Sequence, residues 1–199
     1  MIKKYLPHAL LAVYVVEFII AGIAPFSRSV WYAENIPILI LVLLIIYLYW
    51  RNIRFSNMAY ILMFILPFMH TIGGHYTFEL VPFDWFNNLF GFTRNMFDRV
   101  GHFAVGFYAL AIIEYLEMKQ LVSKKIVAVS YSIFAIAFVA VFYEWIEWWY
   151  AELWGGDSGA AFLGSQGDIW DAQKDMFLDV LGSIITSALY LVFKNKEIK

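Results

Sequence analysis

No cysteine occurs in the 199 residues. That absence excludes a disulfide framework, a thiolate metal site and a cysteine nucleophile. Charge is scarce too. Asp, Glu, Lys and Arg make up 15% of the chain, against about a quarter in a soluble domain. The net charge of -2 says little by itself, and nucleic acid is not an expected partner. Apolar residues are abundant instead: 62% are hydrophobic, 20% are aromatic, and mean hydropathy is +0.68. Such a chain has more apolar surface than a water-excluding core would use, so most of it is expected to face lipid.

The apolar residues fall into runs of about the ~20 residues that cross a bilayer. Spans are expected near 8–24, 36–50, 58–72, 100–116, 126–147 and 175–193. The expected fold is all-α: one polytopic membrane domain covering 1–199, a bundle of six transmembrane helices. Helices are required because open backbone polar groups are not tolerated in hydrocarbon. Lys3 and Lys4 before the first run, with Gly22-Ile23-Ala24 after it, resemble a cleavable signal. Glu17 interrupts the run and its length suits a full span, so a retained first helix is expected. Basic residues set the orientation. Lys3, Lys4, Arg51, Arg54, Lys119, Lys124, Lys125, Lys194, Lys196 and Lys199 lie at the termini and even-numbered connections, while Arg28, Arg94, Arg99 and Lys174 lie on the other side. The asymmetry places both termini in the cytoplasm and turns connections 25–35, 73–99 and 148–174 outward.

Within this frame one stretch, Gly164 to Gly182, organises the rest. Read as a helix from about Asp168, its acids Asp168, Asp171, Asp175 and Asp179 form a ladder on one face. Asp171 and Asp179 are then separated by roughly 12 Å along the axis. Such a ladder repels itself unless cations, hydrogen bonds or protons compensate it. Asp98 and His102, four apart on the fourth span, offer oxygen and nitrogen to one cation, or cap the helix with a hydrogen bond. Gly106 and Ala109, on or near the same face, allow another helix to approach closely. Glu144 and Glu147 share a face amid the tryptophans that end the fifth span. Pro67, Gly73 and Gly74 are expected to break the third span, and His70 and His75 sit at its outer boundary. Arg94 and Arg99 either neutralise the acids or hold an anionic head group. Connection 77–97, rich in Phe, Trp and Asn, reads as an amphipathic lid in the interface. Span two reads as aliphatic and lipid-facing. Glu17 reads either as a deep member of a polar site or as a packing residue. Ser158 and Ser165 sit in no recognisable nucleophile motif.

With Asp98-x3-His102, Glu144-x2-Glu147 and the segment Gly-Asp-Ile-Trp-Asp-Ala-Gln-Lys-Asp-Met of 167–176 in view, the sequence resembles the YjdF-type family of bacterial inner-membrane proteins over most of its length. It is more distantly similar to VanZ-like membrane proteins associated with glycopeptide resistance. Their pattern sets Asp-Lys-x2-His-Phe on one helix, Glu on the next and Asp-x3-Asn-x2-Gly on the last. The counterparts here are Asp98, His102 and Phe103, then Glu144 or Glu147, then Asp175, Asp179 and Gly182, with Arg99 replacing the lysine and Asp179 the asparagine. The resemblance implies fold and envelope localisation, and supplies no reaction.

The expected function is a metal-dependent hydrolase or transferase acting on a lipid or lipid-linked envelope substrate, in the bacterial plasma membrane with its pocket outward. Asp98, His102, Glu144, Asp168, Asp171 and Asp175 are the expected metal ligands, for Zn, Mn, Mg or Ca. Glu147 or His75 is the expected base, and Arg94 and Arg99 the expected anion holders. Membrane lipids are the expected partners, and no organic cofactor is expected. The alternatives are a proton- or cation-coupled permease and a non-catalytic membrane partner protein.

Overall fold

The computed structural model describes residues 2–155 and 165–196, with side chains from 5–153 and 165–193. Ser158 and Gly164 lie outside the described residues. Eight α-helices are present among them: α1 (Ile2–Ala21), α2 (Arg28–Trp50), α3 (Asn57–Tyr76), α4 (Asp84–Phe90), α5 (Phe97–Val105), α6 (Tyr108–Met118), α7 (Lys125–Tyr150) and α8 (Asp171–Lys196). A π-helical turn, Ala151–Gly155, extends α7. No strand occurs among the described residues. Five helical stretches are long and apolar enough to cross a membrane: α2, α3, α5 with α6, α7 with its extension, and α8. The apolar part of α1, Tyr5–Ala21, is shorter.

Local sequence explains where the helices begin, and it corrects two expectations. Ser27 caps α2 by accepting from the Val30 N–H at 3.5 Å, so the helix starts eight residues before the apolar run at Ile36. Glu34 and Asn35 therefore belong to α2 and are buried. Span two is thus not aliphatic throughout: Ile40 and Leu43 face outward, while its opposite face turns into the protein. The second correction is that α3 is not broken. It runs through Pro67, Gly73 and Gly74 to a left-handed Thr77, whose N–H bonds the Gly73 carbonyl. In a lipid-embedded bundle neighbouring helices support a proline-containing helix, so the proline does not end it. The glycines serve packing: a Cβ on Gly73 would enter the Phe78 ring, and one on Gly74 would press on Asn35 and Glu34.

The spanning stretch formed by α5 and α6 carries a break at Gly106-Phe107, where 3₁₀-type bonds join the two helices. There α5 and α8 cross at backbone distance. A Cβ on Gly106 would collide with the backbone of Gly182 and Ser183, and one on Gly182 with the Phe103 carbonyl. This crossing sets the site, because it brings the acid face of α8 onto Arg99 and His102 of α5. α8 also packs on α7, α7 on α6, and α1 and α2 both rest on α3. The main apolar core, around Met63, Ile113, Ala128 and Tyr190, fills the half of the bundle away from the acids. Phe134 and Phe138 on α7 are 73% and 69% exposed, a face suited to lipid rather than water.

Candidate metal centre and cleft

Asp168 lies in the turn before α8, not on the helix. Gln166 and Gly167 both take positive φ there, and Asp168 accepts from the Trp170 N–H (3.1 Å) and from Lys174 Nζ (2.6 Å). Lys174 and the amide hold its carboxyl below the ordinary range. The helix begins at Asp171, and Asp171, Asp175 and Asp179 are all buried along one face.

The three rungs find different partners. Arg99, buried on α5, bonds Asp171 Oδ1 (2.5 Å) and the Asp171 carbonyl (3.0 Å), reaches Asp168 (3.3 Å) and pairs with Asp175. Arg94 Nη1 adds a bond to Asp171 at 2.8 Å. Of the two roles open to them, both arginines are engaged in neutralising the ladder. Lower down, His102 takes over from arginine. Its Nε2 faces Asp98 (3.6 Å) and Asp175 (3.8 Å), and its Nδ1 lies 3.3 Å from Asp179 Oδ2. One ligand atom each from Asp98, His102 and Asp175 falls within 4.8 Å of the others. Asp179 Oδ1 and Glu144 Oε1 are buried without a hydrogen-bond partner among the described residues.

A second polar group faces this one. Glu34 Oε2 is 2.9 Å from His70 Nε2, and the Tyr143 hydroxyl lies 3.3 Å from both. The Tyr143 ring in turn sits 6.4 Å from the His102 ring, which links the two groups. Asn35 continues the polar layer, accepting from Thr71 at 3.0 Å. Sequence reasoning missed Glu34, Asn35 and Tyr143. The Ser27 cap was the signal that would have drawn Glu34 into the membrane helix. His75 is not brought to either group: its Nδ1 is 2.6 Å from the Ala21 carbonyl and its ring packs on Tyr76. Glu17 lies four residues from the end of α1, with both carboxyl oxygens buried and without hydrogen-bond partners among the described residues.

Connections 77–96 and 165–170 close over the site. Asn95 donates to the Glu79 and Val81 carbonyls, while Gln166 and the Asn95 backbone exchange two hydrogen bonds. Ser165 contributes its carbonyl, which accepts from Arg94. On α4, Trp85, Leu89 and Phe90 are exposed.

Below the polar groups runs a cleft of about 660 Å³. Glu34, His70, Asp98, His102, Tyr143, Glu147 and Asp179 line one end. The other end is apolar, with Leu48, Leu116 and Leu121 at its far limit. On α2 the lining runs from Glu34 to Leu48, about 21 Å of helix rise.

An all-helical bundle with apolar outer faces and a buried polar layer defines a polytopic membrane protein. The chain belongs to the family described as predicted membrane protein DUF2238, which matches residues 6–196. It is similar to the inner membrane protein YjdF of Escherichia coli (strain K12), 34% identical over 184 residues, which cover 91% of this chain and 87% of that protein. It is a multi-pass inner-membrane protein. No solved structure matches it.

Proposed function

We propose that the protein is a metal-dependent hydrolase or transferase acting on a lipid or lipid-linked substrate, with its polar groups at the outer face of the membrane and both termini inside. In this reading α1 is the sixth span. The observation that carries the proposal is the arrangement around His102. One ring nitrogen faces Asp98 and Asp175, while the other meets the buried Asp179 carboxylate. A carboxylate behind a histidine fixes its tautomer and orients the free nitrogen toward a cation. A divalent ion held by Asp98, His102 and Asp175 would also relieve the surplus of carboxyls, which Arg94 and Arg99 only partly offset. When bound, such an ion polarises a phosphoryl or carbonyl oxygen or activates water.

The cleft supports a lipid substrate, since a polar head reaches the acids only where an apolar chain can follow the wall of α2. His70, held by Glu34, takes the base role expected of His75. Glu147, also on the cleft, is the second candidate. Arg94 and Arg99 position the ladder.

The permease alternative draws on Asp179, Ser183 and Ser187, which continue the polar stripe of α8 inward, with Ser187 Oγ 3.4 Å from Ser132 Oγ. Ser132 and Ser183 donate to carbonyls of their own helices, a use that serves packing equally well.

Thermal unfolding of the purified protein, with chelator and with Zn, Mn, Mg or Ca, separates the readings. An ion at a hundredfold excess over its Kd should raise the wild-type Tm by about 5–10 °C. Asp98→Asn and His102→Gln should lose that rise. Wild-type curves that coincide with and without every ion, together with metal-free elemental analysis, would overturn the metal site and favour the permease.

A further inference from the structure

α1 and α2 each pack on α3, and a second cleft of about 370 Å³ lies in the gap between them. It is at the end of the bundle away from the acids, and its walls are apolar, with Leu11 of α1, Val42 of α2, and Met63 and Phe64 of α3 among them. From Tyr49 to Val42 it follows α2 for about 10 Å, less than the ~15 Å depth of one leaflet's hydrocarbon.

Its mouth is cationic. Arg54 lines it, with its guanidinium 3.5 Å from the centre of the Tyr49 ring, and the His8 ring meets Tyr49 edge-on at 5.2 Å. Stacking on the tyrosine holds the guanidinium in place while leaving its N–H edge available. One nitrogen makes a 3.4 Å bond to Asn52 Oδ1. Among the described residues Arg54 forms no ion pair. Glu114, the carboxylate at this corner, accepts from the Ser56 N–H instead. Trp50, 79% exposed beside the mouth, suits the depth of lipid head groups.

We infer that this cleft is a binding site for an anionic phospholipid of the cytoplasmic leaflet, one acyl chain lying between α1 and α2 and the phosphate meeting Arg54. The guanidinium matches a phosphate oxygen pair, and the cleft depth matches the first part of a chain that starts at the interface. The basic connections place this end of the bundle on the cytoplasmic side, where anionic lipids attract arginine. The site shares only Ile45 and Met63 of its lining with the acid-lined cleft and does not depend on a metal there.

The test is native mass spectrometry of the full chain released from micelles with equal amounts of phosphatidylglycerol and phosphatidylethanolamine. Wild type should retain the anionic lipid about fivefold over the zwitterionic one. Arg54→Gln, at an exposed position outside the core, should bring the ratio near one. Leu11→Trp, which fills the cleft, should reduce retention of both. Arg51→Gln, whose residue is outside the cleft lining, should keep the preference. Thermal unfolding supplies a second readout: phosphatidylglycerol should stabilise wild type but not Arg54→Gln, and inorganic phosphate should stabilise neither. A wild-type ratio of one, an undiminished preference in Arg54→Gln, or equal stabilisation by inorganic phosphate would overturn the site.

Discussion

Three aspartates on one face of α8 hold three different positions because α5 and the connection before it present different partners to them. Asp171 meets two arginines, Asp175 sits between Arg99 and His102, and Asp179 backs the far nitrogen of His102. Asp168, in the turn before α8, lies outside the membrane-spanning segments. Its carboxyl is held below its ordinary value of 3.8, first by the hydrogen bond from Lys174 and then by the Trp170 amide. A depressed carboxylate stabilises the fold above its unfolded pKa, and that contribution disappears as pH falls through the folded value. Wild type should therefore unfold at a higher temperature than Asp168→Asn at neutral pH, and the two should converge on acidification below pH 3.8. The difference should also shrink in ~1 M salt, because Lys174 is exposed and screened. A difference that persists unchanged to the acid limit would refute the assignment. The acids themselves were legible in the sequence, as three- and four-residue spacing is a local property. The pairing of Glu34 with His70 was not, since it joins residues 36 apart on two helices.

The elements meet where side chains are missing. Gly106 at the α5–α6 break and Gly182 on α8 let two backbones touch, and this contact holds Arg99 and His102 against the acid face. Overpacking such a contact costs about 1–3 kcal/mol, so Gly106→Ala and Gly182→Ala should each lower stability by that order in denaturant or thermal unfolding. At Gly101, one turn earlier on α5, an added Cβ would meet nothing within 4 Å. Gly101→Ala should therefore be neutral, or stabilising by up to ~1 kcal/mol from helix propensity. Equal losses for all three would show that the crossing is not the tight point. The small residues on this face were visible in the sequence. The break at Gly106 was not, because the apolar run continues through it and only the neighbouring helix explains why the chain tightens there.

At the scale of the molecule, the acids and the basic connections occupy opposite ends, so one orientation satisfies both. Reporter fusions at 51–57 and at 117–125 should give cytoplasmic signals. A periplasmic signal near Lys124 would invert the bundle, and the acid-lined cleft would then open inward. The sequence by itself determined the class of protein, since composition and the length of apolar runs dictate helices in lipid whatever their neighbours. It also determined the acid face of α8, because helical periodicity alone stacks Asp171, Asp175 and Asp179. Only the tertiary structure decided the partners of those acids. It turned Arg94 and Arg99 onto the ladder, set His102 between Asp175 and Asp179, and put His70 rather than His75 at the cleft. The physical reason is that a side chain's partner depends on how helices are rotated against one another. That rotation follows from contacts such as Gly106 on Gly182, which join positions far apart in the chain.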